Sequence, residues 1–280
     1  MKDPNAPRVP IVEHPDVRRM LMEMRAMSEG IRALVYHAAR LHSLAEYTED
    51  EAEHQRASDR LEFLTPIVKA YPTDRGFEIA TMAIQVLGGV GYCREYGVEQ
   101  YCRDAKISSI YEGTNGVQAL DLVGRKMTMK GGRLFMTFMT ELSAFIDEAT
   151  GHEALGGLAA DLGAARDKVA NIAMQFMQQA GTDPIFPVLS ATPFLEALGH
   201  VIVSKLLLEQ AHIAYAKQKA LMAEKGVTDE EAFAKDNDDA AFYYNKKLTA
   251  RFFIKNILPR VDAIAARIQT RDESCLKAIF

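Results

Sequence analysis

Apolar residues return every three or four positions along most of the chain, the spacing that lines one face of an α-helix. Over residues 14–46 the series Val17, Leu21, Met24, Met27, Ile31, Leu34, Val35, Ala38, Leu41 and Ala45 predicts one long amphipathic helix. Pro15 opens it in a first-turn position, where a missing N–H is harmless. An acidic hinge at 46–53 leads to a second helical stretch at 58–70. Tyr71-Pro72-Thr73-Asp74 reads as a break, with Thr73 or Asp74 capping a third helix over 75–87. Gly88, Gly89 and Gly91 end that helix and mark tight turning or close backbone approach.

A short helix or irregular turn follows at 98–107, and 107–111 reads as extended. Asn115 is placed to cap the next helix, with Gln118 completing a capping box. That helix carries Val117, Leu120, Val123 and Met127 and stops near Lys130-Gly131-Gly132, the expected boundary between a unit at 1–130 and another at 131–280. Further helices are expected over 134–149, 153–179, 194–225 and 237–268, the last kinked or divided by Pro259. Gly151, the Gly181-Thr182-Asp183-Pro184 turn and the acidic 229–239 segment separate them. No β-branched alternation is long enough to build a sheet. The fold class is therefore all-α, an up-and-down four-helix-bundle domain followed by a helical extension.

Charge changes this picture little. Against 33 Lys plus Arg stand 38 Asp plus Glu, a net −5 with histidine neutral, which argues against a nucleic-acid partner. Cys93, Cys102 and Cys275 form no CxxC pair, so no disulfide framework or cysteine metal site is expected, and the pattern suits a reducing cytoplasm. The histidines show no metal-ligand spacing and 49–54 is not HExxH, so no metal is expected. The opening Met1-Lys2-Asp3-Pro4-Asn5-Ala6-Pro7 has no apolar leader, and no later run reads as the roughly 20 apolar residues that span a bilayer.

Candidate chemistry gathers in Ser109-Ile110-Tyr111-Glu112-Gly113-Thr114-Asn115-Gly116, where a glycine-flanked turn delivers a carboxylate just before a helix. Neighbouring N–H groups there can receive developing negative charge. To abstract a carbon-bound proton, Glu112 would need an apolar site that lifts its pKa from about 4.3. Its other reading is a carboxylate that helps to cap the helix. A second candidate, Gln85-Val86-Leu87-Gly88-Gly89-Val90-Gly91-Tyr92, is a glycine turn at a helix C-terminus. It is not a GxGxxG fingerprint, because no strand precedes it.

The whole stretch AIQVLGGVGYCREYGVEQYCRDAKISSIYEGTNGVQ, with its glycine turn, Arg103-Asp104 and Tyr111-Glu112-Gly113-Thr114 in order, resembles the acyl-CoA dehydrogenase family. The likeness extends back to VEHPDVRRML and forward through QALDLVGRK into an extension that resembles the subfamily with an added C-terminal helical domain. The resemblance implies that Glu112 removes the α-proton of an acyl-CoA while the β-hydrogen leaves as hydride to FAD, giving a trans-2-enoyl-CoA. It implies that the Glu112 N–H grips the thioester carbonyl, with Tyr111 and Gly113 beside the substrate and Thr114 on the flavin side. Gln85, Gly88 and Gly89 match residues that touch the adenosine-diphosphate part of FAD held mainly by a neighbouring subunit, so a homo-oligomer is implied. Arg103 and Asp104 are expected to form a structural ion pair. An electron-transferring flavoprotein would be the acceptor.

Members of that family also have an N-terminal helical domain and a middle β domain, which this chain lacks. It is expected to be an excised piece, a subunit completed by another polypeptide, or a divergent protein. The non-enzymatic alternative is a helical assembly or scaffold protein that retains the family fold.

Overall fold

The structure, a computed structural model, describes residues 7–179 and 181–280. The reading of the opening Met1–Pro7 segment lies, but for Pro7, outside them. Eleven α-helices follow in order among the described residues: α1 (Pro15–Tyr47), α2 (Glu51–Leu87), α3 (Val98–Ile107), α4 (Asn115–Asp121), α5 (Arg133–Thr150), α6 (Gly156–Gln179), α7 (Ile185–Lys225), α8 (Glu230–Asp236), α9 (Asp238–Phe252), α10 (Arg260–Gln269) and α11 (Ser274–Lys277). No strand occurs among the described residues, as an all-α reading requires.

Helix α1 matches its periodicity closely, burying Met20, Met27, Leu34, Ala38 and Leu41. Leu21 and Val35, counted into the same stripe, face outward. The acidic hinge is shorter than expected. Asp50 caps α2, its carboxylate accepting from the Ala52 and Glu53 amides at 2.9 and 3.2 Å.

The expected break at Tyr71–Asp74 is absent, and α2 runs through Pro66 and Pro72 without ending. Each proline removes one ladder donor, but Phe63, Leu64, Ile67, Ala70 and Tyr71 are all buried, and their packing holds the helix together. Thr73 caps nothing; its hydroxyl donates back to the Ala70 carbonyl at 2.8 Å.

The 107–111 segment is also not extended, because α3 closes in a turn in which the Tyr111 amide still donates to the Ile107 carbonyl at 3.1 Å. Further on, α7 begins nine residues before its expected start, at Ile185, with Pro193 inside it. The acidic 229–239 segment, expected as a break, contains α8, capped by Asp229. The last expected helix divides near Pro259, after a π-helical turn at Phe253–Ile257.

Helix α7 organises the molecule. It packs on α1, α2 and α4 and also on α6, α9 and α10, so one continuous core runs from Ala26 to Ile268. Two glycines make the close approach possible. A Cβ at Gly30 of α1 would lie 2.4 Å from Val203 Cγ1, and one at Gly199 of α7 would lie 2.2 Å from Tyr71 Cδ2. An 18-residue window of α7 has a mean hydropathy of 1.5, long and apolar enough to cross a membrane, which the sequence reading did not expect. Sixty-seven per cent of that window is buried inside the protein, which accounts for its composition.

Beneath the α1–α2–α7–α10 junction lies a polar network. Tyr71 and His200 Nδ1 share a hydrogen bond of 2.8 Å, and Arg75 reaches Glu196 at 2.8 Å and Glu78 at 3.0 Å. Arg260 joins Glu23 at 2.7 Å and Glu78 at 3.3 Å. His200 Nε2 is 3.6 Å from Glu196, too long for a hydrogen bond, and has no other partner among the described residues. Burial foremost, with the Arg75 and Arg260 charges, holds the His200 imidazole below its ordinary pKa. The Arg75 guanidinium, 2.8 Å away, holds the Glu196 carboxyl below the usual carboxylate range.

Candidate functional site

The segment between α3 and α4 is a compact loop closed on one carbonyl. The buried Ser109 offers its C=O to both the Thr114 hydroxyl at 3.3 Å and the Asn115 amide at 3.2 Å. Between these points Glu112 takes φ 52° and Gly113 φ 91°. A non-glycine residue in the left-handed region stores strain of about 1–2 kcal/mol. A Cβ on Gly113 would meet Gln118 Nε2 at 2.9 Å, so this glycine serves both the turn and the close approach of a neighbouring side chain. Tyr111, Glu112, Gly113 and Thr114 are all exposed. Among the described residues the Glu112 amide donates to no protein acceptor, which leaves it free for a ligand oxygen.

The expected capping box does not form. Thr114, not Asn115, is the N-cap of α4, and it makes no side-chain cap bond. Asn115 instead sends its carboxamide across to α2, where Nδ2 donates to the Ala70 carbonyl at 3.2 Å and to Thr73 Oγ1 at 2.9 Å. Gln118 donates to the Gly113 carbonyl at 3.3 Å instead of accepting from a cap N–H. The tertiary bond to α2 wins because it also anchors the loop.

At the far end of α2, Gly88 turns the chain with φ 65° and ψ −144°. Gly88 and Gly89 are exposed and have open space where a side chain would begin, while Gly91 is pressed against Ile84 and Leu87. Gln85 is exposed one turn earlier. Fifteen helical residues separate Thr73 from Gly88, about 22 Å at 1.5 Å per residue. The glycine turn and Glu112 therefore belong to two separate surfaces and cannot grip the same end of one small ligand. Arg103 pairs with Glu99 one turn back, at 2.8 Å, and not with Asp104, because adjacent helical side chains diverge.

Around both surfaces Val90, Tyr92, Tyr96, Tyr101, Ile110 and Tyr111 are exposed, a large apolar area for residues 88–120. Among the described residues no group of three or more His, Cys, Asp or Glu has metal-holding geometry. Sequence reasoning missed the Ser109 carbonyl, the Asn115–Thr73 bridge and the Tyr71–His200–Glu196 cluster. Only the first had a local signal, since the others join residues 42 and 129 positions apart.

Comparison with known proteins places these features. Residues 1–128 match the family model described as acyl-CoA dehydrogenase, C-terminal domain, and residues 138–278 match that described as acetyl-CoA dehydrogenase C-terminal like. The chain is 37% identical over 271 residues to 3-methylmercaptopropionyl-CoA dehydrogenase of Ruegeria pomeroyi, covering 96% of this chain and 43% of that protein. It is 32% identical over 284 residues to the broad-specificity linear acyl-CoA dehydrogenase FadE5 of Mycobacterium tuberculosis, covering 99% and 44%. The chain thus spans less than half the length of these relatives.

Among solved structures, it superposes on ACDH-11 of Caenorhabditis elegans in complex with C11-CoA with a TM-score of 0.65 at 20% identity, covering 95% of this chain and 42% of that one. An acyl-CoA dehydrogenase of Bacillus anthracis complexed with FAD gives 0.59 at 20%, covering 95% and 51%. At that identity these two show the shared helical fold.

Proposed function

The chain belongs to the acyl-CoA dehydrogenase family, corresponding to the C-terminal helical part of its members, and on that premise we propose that it carries the base of an α,β-dehydrogenation turning an acyl-CoA into a trans-2-enoyl-CoA. The observation that carries this reading is the strained Glu112 at the tip of the Ser109-closed loop, with its carboxylate exposed and its amide free. Glu112 takes the α-proton, and its own N–H donates to the thioester carbonyl oxygen, where negative charge builds as the α C–H bond breaks. Tyr111 and Gly113 border the acyl thioester. Because Glu112 is open to solvent in this chain, bound substrate and further protein must exclude water from it when it acts.

The residues present fit FAD as one part of its site. Gly88 and Gly89 offer bare, exposed backbone to which a diphosphate can come close, and Gln85 can hydrogen-bond beside it. Thr114 stands at the loop, its hydroxyl donating to the Ser109 carbonyl and its oxygen left to accept a hydrogen bond from the flavin side. When bound, FAD supplies the acceptor for the β-hydrogen as hydride. The two surfaces lie about 22 Å apart along α2, which supports Gln85, Gly88 and Gly89 serving a cofactor other than the one beside Glu112, as in a homo-oligomer. The exposed apolar area around them supports coverage by further protein, in the same or another polypeptide. The division into 1–130 and 131–280, a cytoplasmic location, and an electron-transferring flavoprotein as acceptor belong to the same proposal.

Glu112→Gln in the flavin-loaded enzyme containing this chain is the test. It is expected to cut turnover by at least a thousand-fold while flavin remains bound, as for a lost general base with an intact site. Turnover equal to that of the parent enzyme would overturn the assignment.

A further inference from the structure

The Ser109 closure fixes the shape of the Glu112 loop but not its direction relative to the bundle. Direction requires a tie to another element, and Asn115 supplies it. Its Nδ2 donates to Ala70 O at 3.2 Å and Thr73 Oγ1 at 2.9 Å, and the Thr73 hydroxyl lies 3.2 Å from Asn115 Oδ1. Both partners sit on α2 where the helix is most buried, between Ile67 and Arg75.

The other side of Asn115 is closed by α7, from the helical extension. Asn115, Ala119, Tyr71, Arg75, Leu195 and Glu196 line a small recess of about 20 Å³, room for about one water molecule, so α7 stands directly behind the carboxamide. The buried Arg75, bonded to Glu196 at 2.8 Å, locks α2 and α7 together at this spot. Glu112 is three residues from Asn115 and tied to it through the Ser109 carbonyl, so a displacement of one moves the other.

We infer that Asn115 is a positioning residue: clamped between α2 and the extension's α7, it sets the aim of the Glu112 carboxylate. The extension thereby acts on the reaction as the back wall of the clamp, without touching substrate. The inference rests on Glu112 being the base. Misplacing a catalytic group by about 1 Å costs up to a hundred-fold in rate, so loosening the clamp falls on kcat and not on substrate binding.

The experiment compares Asn115→Asp, Thr73→Val and Glu112→Gln in the flavin-loaded enzyme containing this chain. It measures kcat, KM for an acyl-CoA, bound flavin, and the isotope effect of an α-deuterated substrate. Asn115→Asp removes both donated bonds and is expected to lower kcat about ten-fold or more. Thr73→Val, nearly isosteric, removes the hydroxyl that meets Asn115 but keeps the Ala70 bond, and is expected to lower kcat about three-fold. In both, KM and flavin content should stay within about two-fold of the parent and the isotope effect should rise, because proton removal has become slower.

If Asn115→Asp fails to fold, Thr73→Val decides alone. A parent-like kcat and isotope effect with full flavin overturns the clamp, as does a loss shared equally by kcat, KM and flavin content. Glu112→Gln separates the two claims. Parent-like turnover there overturns the base assignment, whereas a dead Glu112→Gln beside a parent-like Asn115→Asp overturns only the clamp.

Discussion

At the scale of single residues, what the sequence revealed and what it hid divide by distance along the chain. Glu112 was legible because its signal is local, a carboxylate in a glycine-flanked turn before a helix. The partner of Tyr71 was not, because His200 is 129 positions away and nothing near either residue announces the other. Tyr71→Phe keeps the shape but leaves His200 Nδ1 buried without a partner. It is expected to destabilise the fold by about 1–3 kcal/mol in a denaturant melt, and an unchanged midpoint would mean that the bond contributes nothing net. His37 offers a pH prediction. Burial first, then the charges of Lys205, Arg60 and Arg40, lowers it from 6.5 to about 4. Below pH 6.5 the unfolded chain takes up a proton that the folded chain refuses, so stability is lost as pH falls from 6.5 towards 4. Glu196, held below its ordinary 4.5 by Arg75, contributes stability that is present above 4.5 and lost as pH falls through its lowered folded value. A His37→Gln protein should show a flatter melting temperature between pH 6.5 and pH 4, and a slope equal to the parent's would remove His37 from the account.

Elements were legible where one face of a helix is buried and obscured where packing overrides local preference. The α1 stripe followed its pattern, whereas the helix expected to reach Lys130 ends as an α-helix at Asp121 and continues only as a π-helical turn at Leu122–Lys126. Pro72, whose missing N–H argued for a break, sits in a helix wedged between α1 and α7, and burial of its neighbours outweighs the lost bond. The early start of α7 has the same cause, since Phe186, Ser190 and Ala191 are already inside the core. Two glycine substitutions separate propensity from packing. Gly76→Ala in α2 meets nothing within 4 Å and should stabilise by up to about 1 kcal/mol. Gly199→Ala gains the same propensity but drives a methyl to 2.2 Å from the Tyr71 ring, and it should lose about 1–3 kcal/mol net. Equal melting temperatures for the two proteins would show that α7 can retreat at no cost.

For the whole molecule, one core joins the residues on both sides of the boundary proposed at Gly131-Gly132. Because α7 packs on α1, α2 and α4 as well as on α6, α9 and α10, the chain is expected to unfold in one calorimetric transition. Two resolved transitions would give the boundary thermodynamic meaning. The exposed Val90–Leu120 face should make the isolated chain bind a hydrophobic dye or self-associate in light scattering, and a monomer that binds no dye would mean that the face needs no cover. The contact between Tyr71 and Gly199 has a consequence for anyone recombining these parts. The flat ring on one helix and the missing side chain on the other work as lock and key, so a chimera that grafts this extension onto a foreign bundle inherits only half of the fit. Such a hybrid must carry both residues across together, or open the seam through which the extension reaches Asn115.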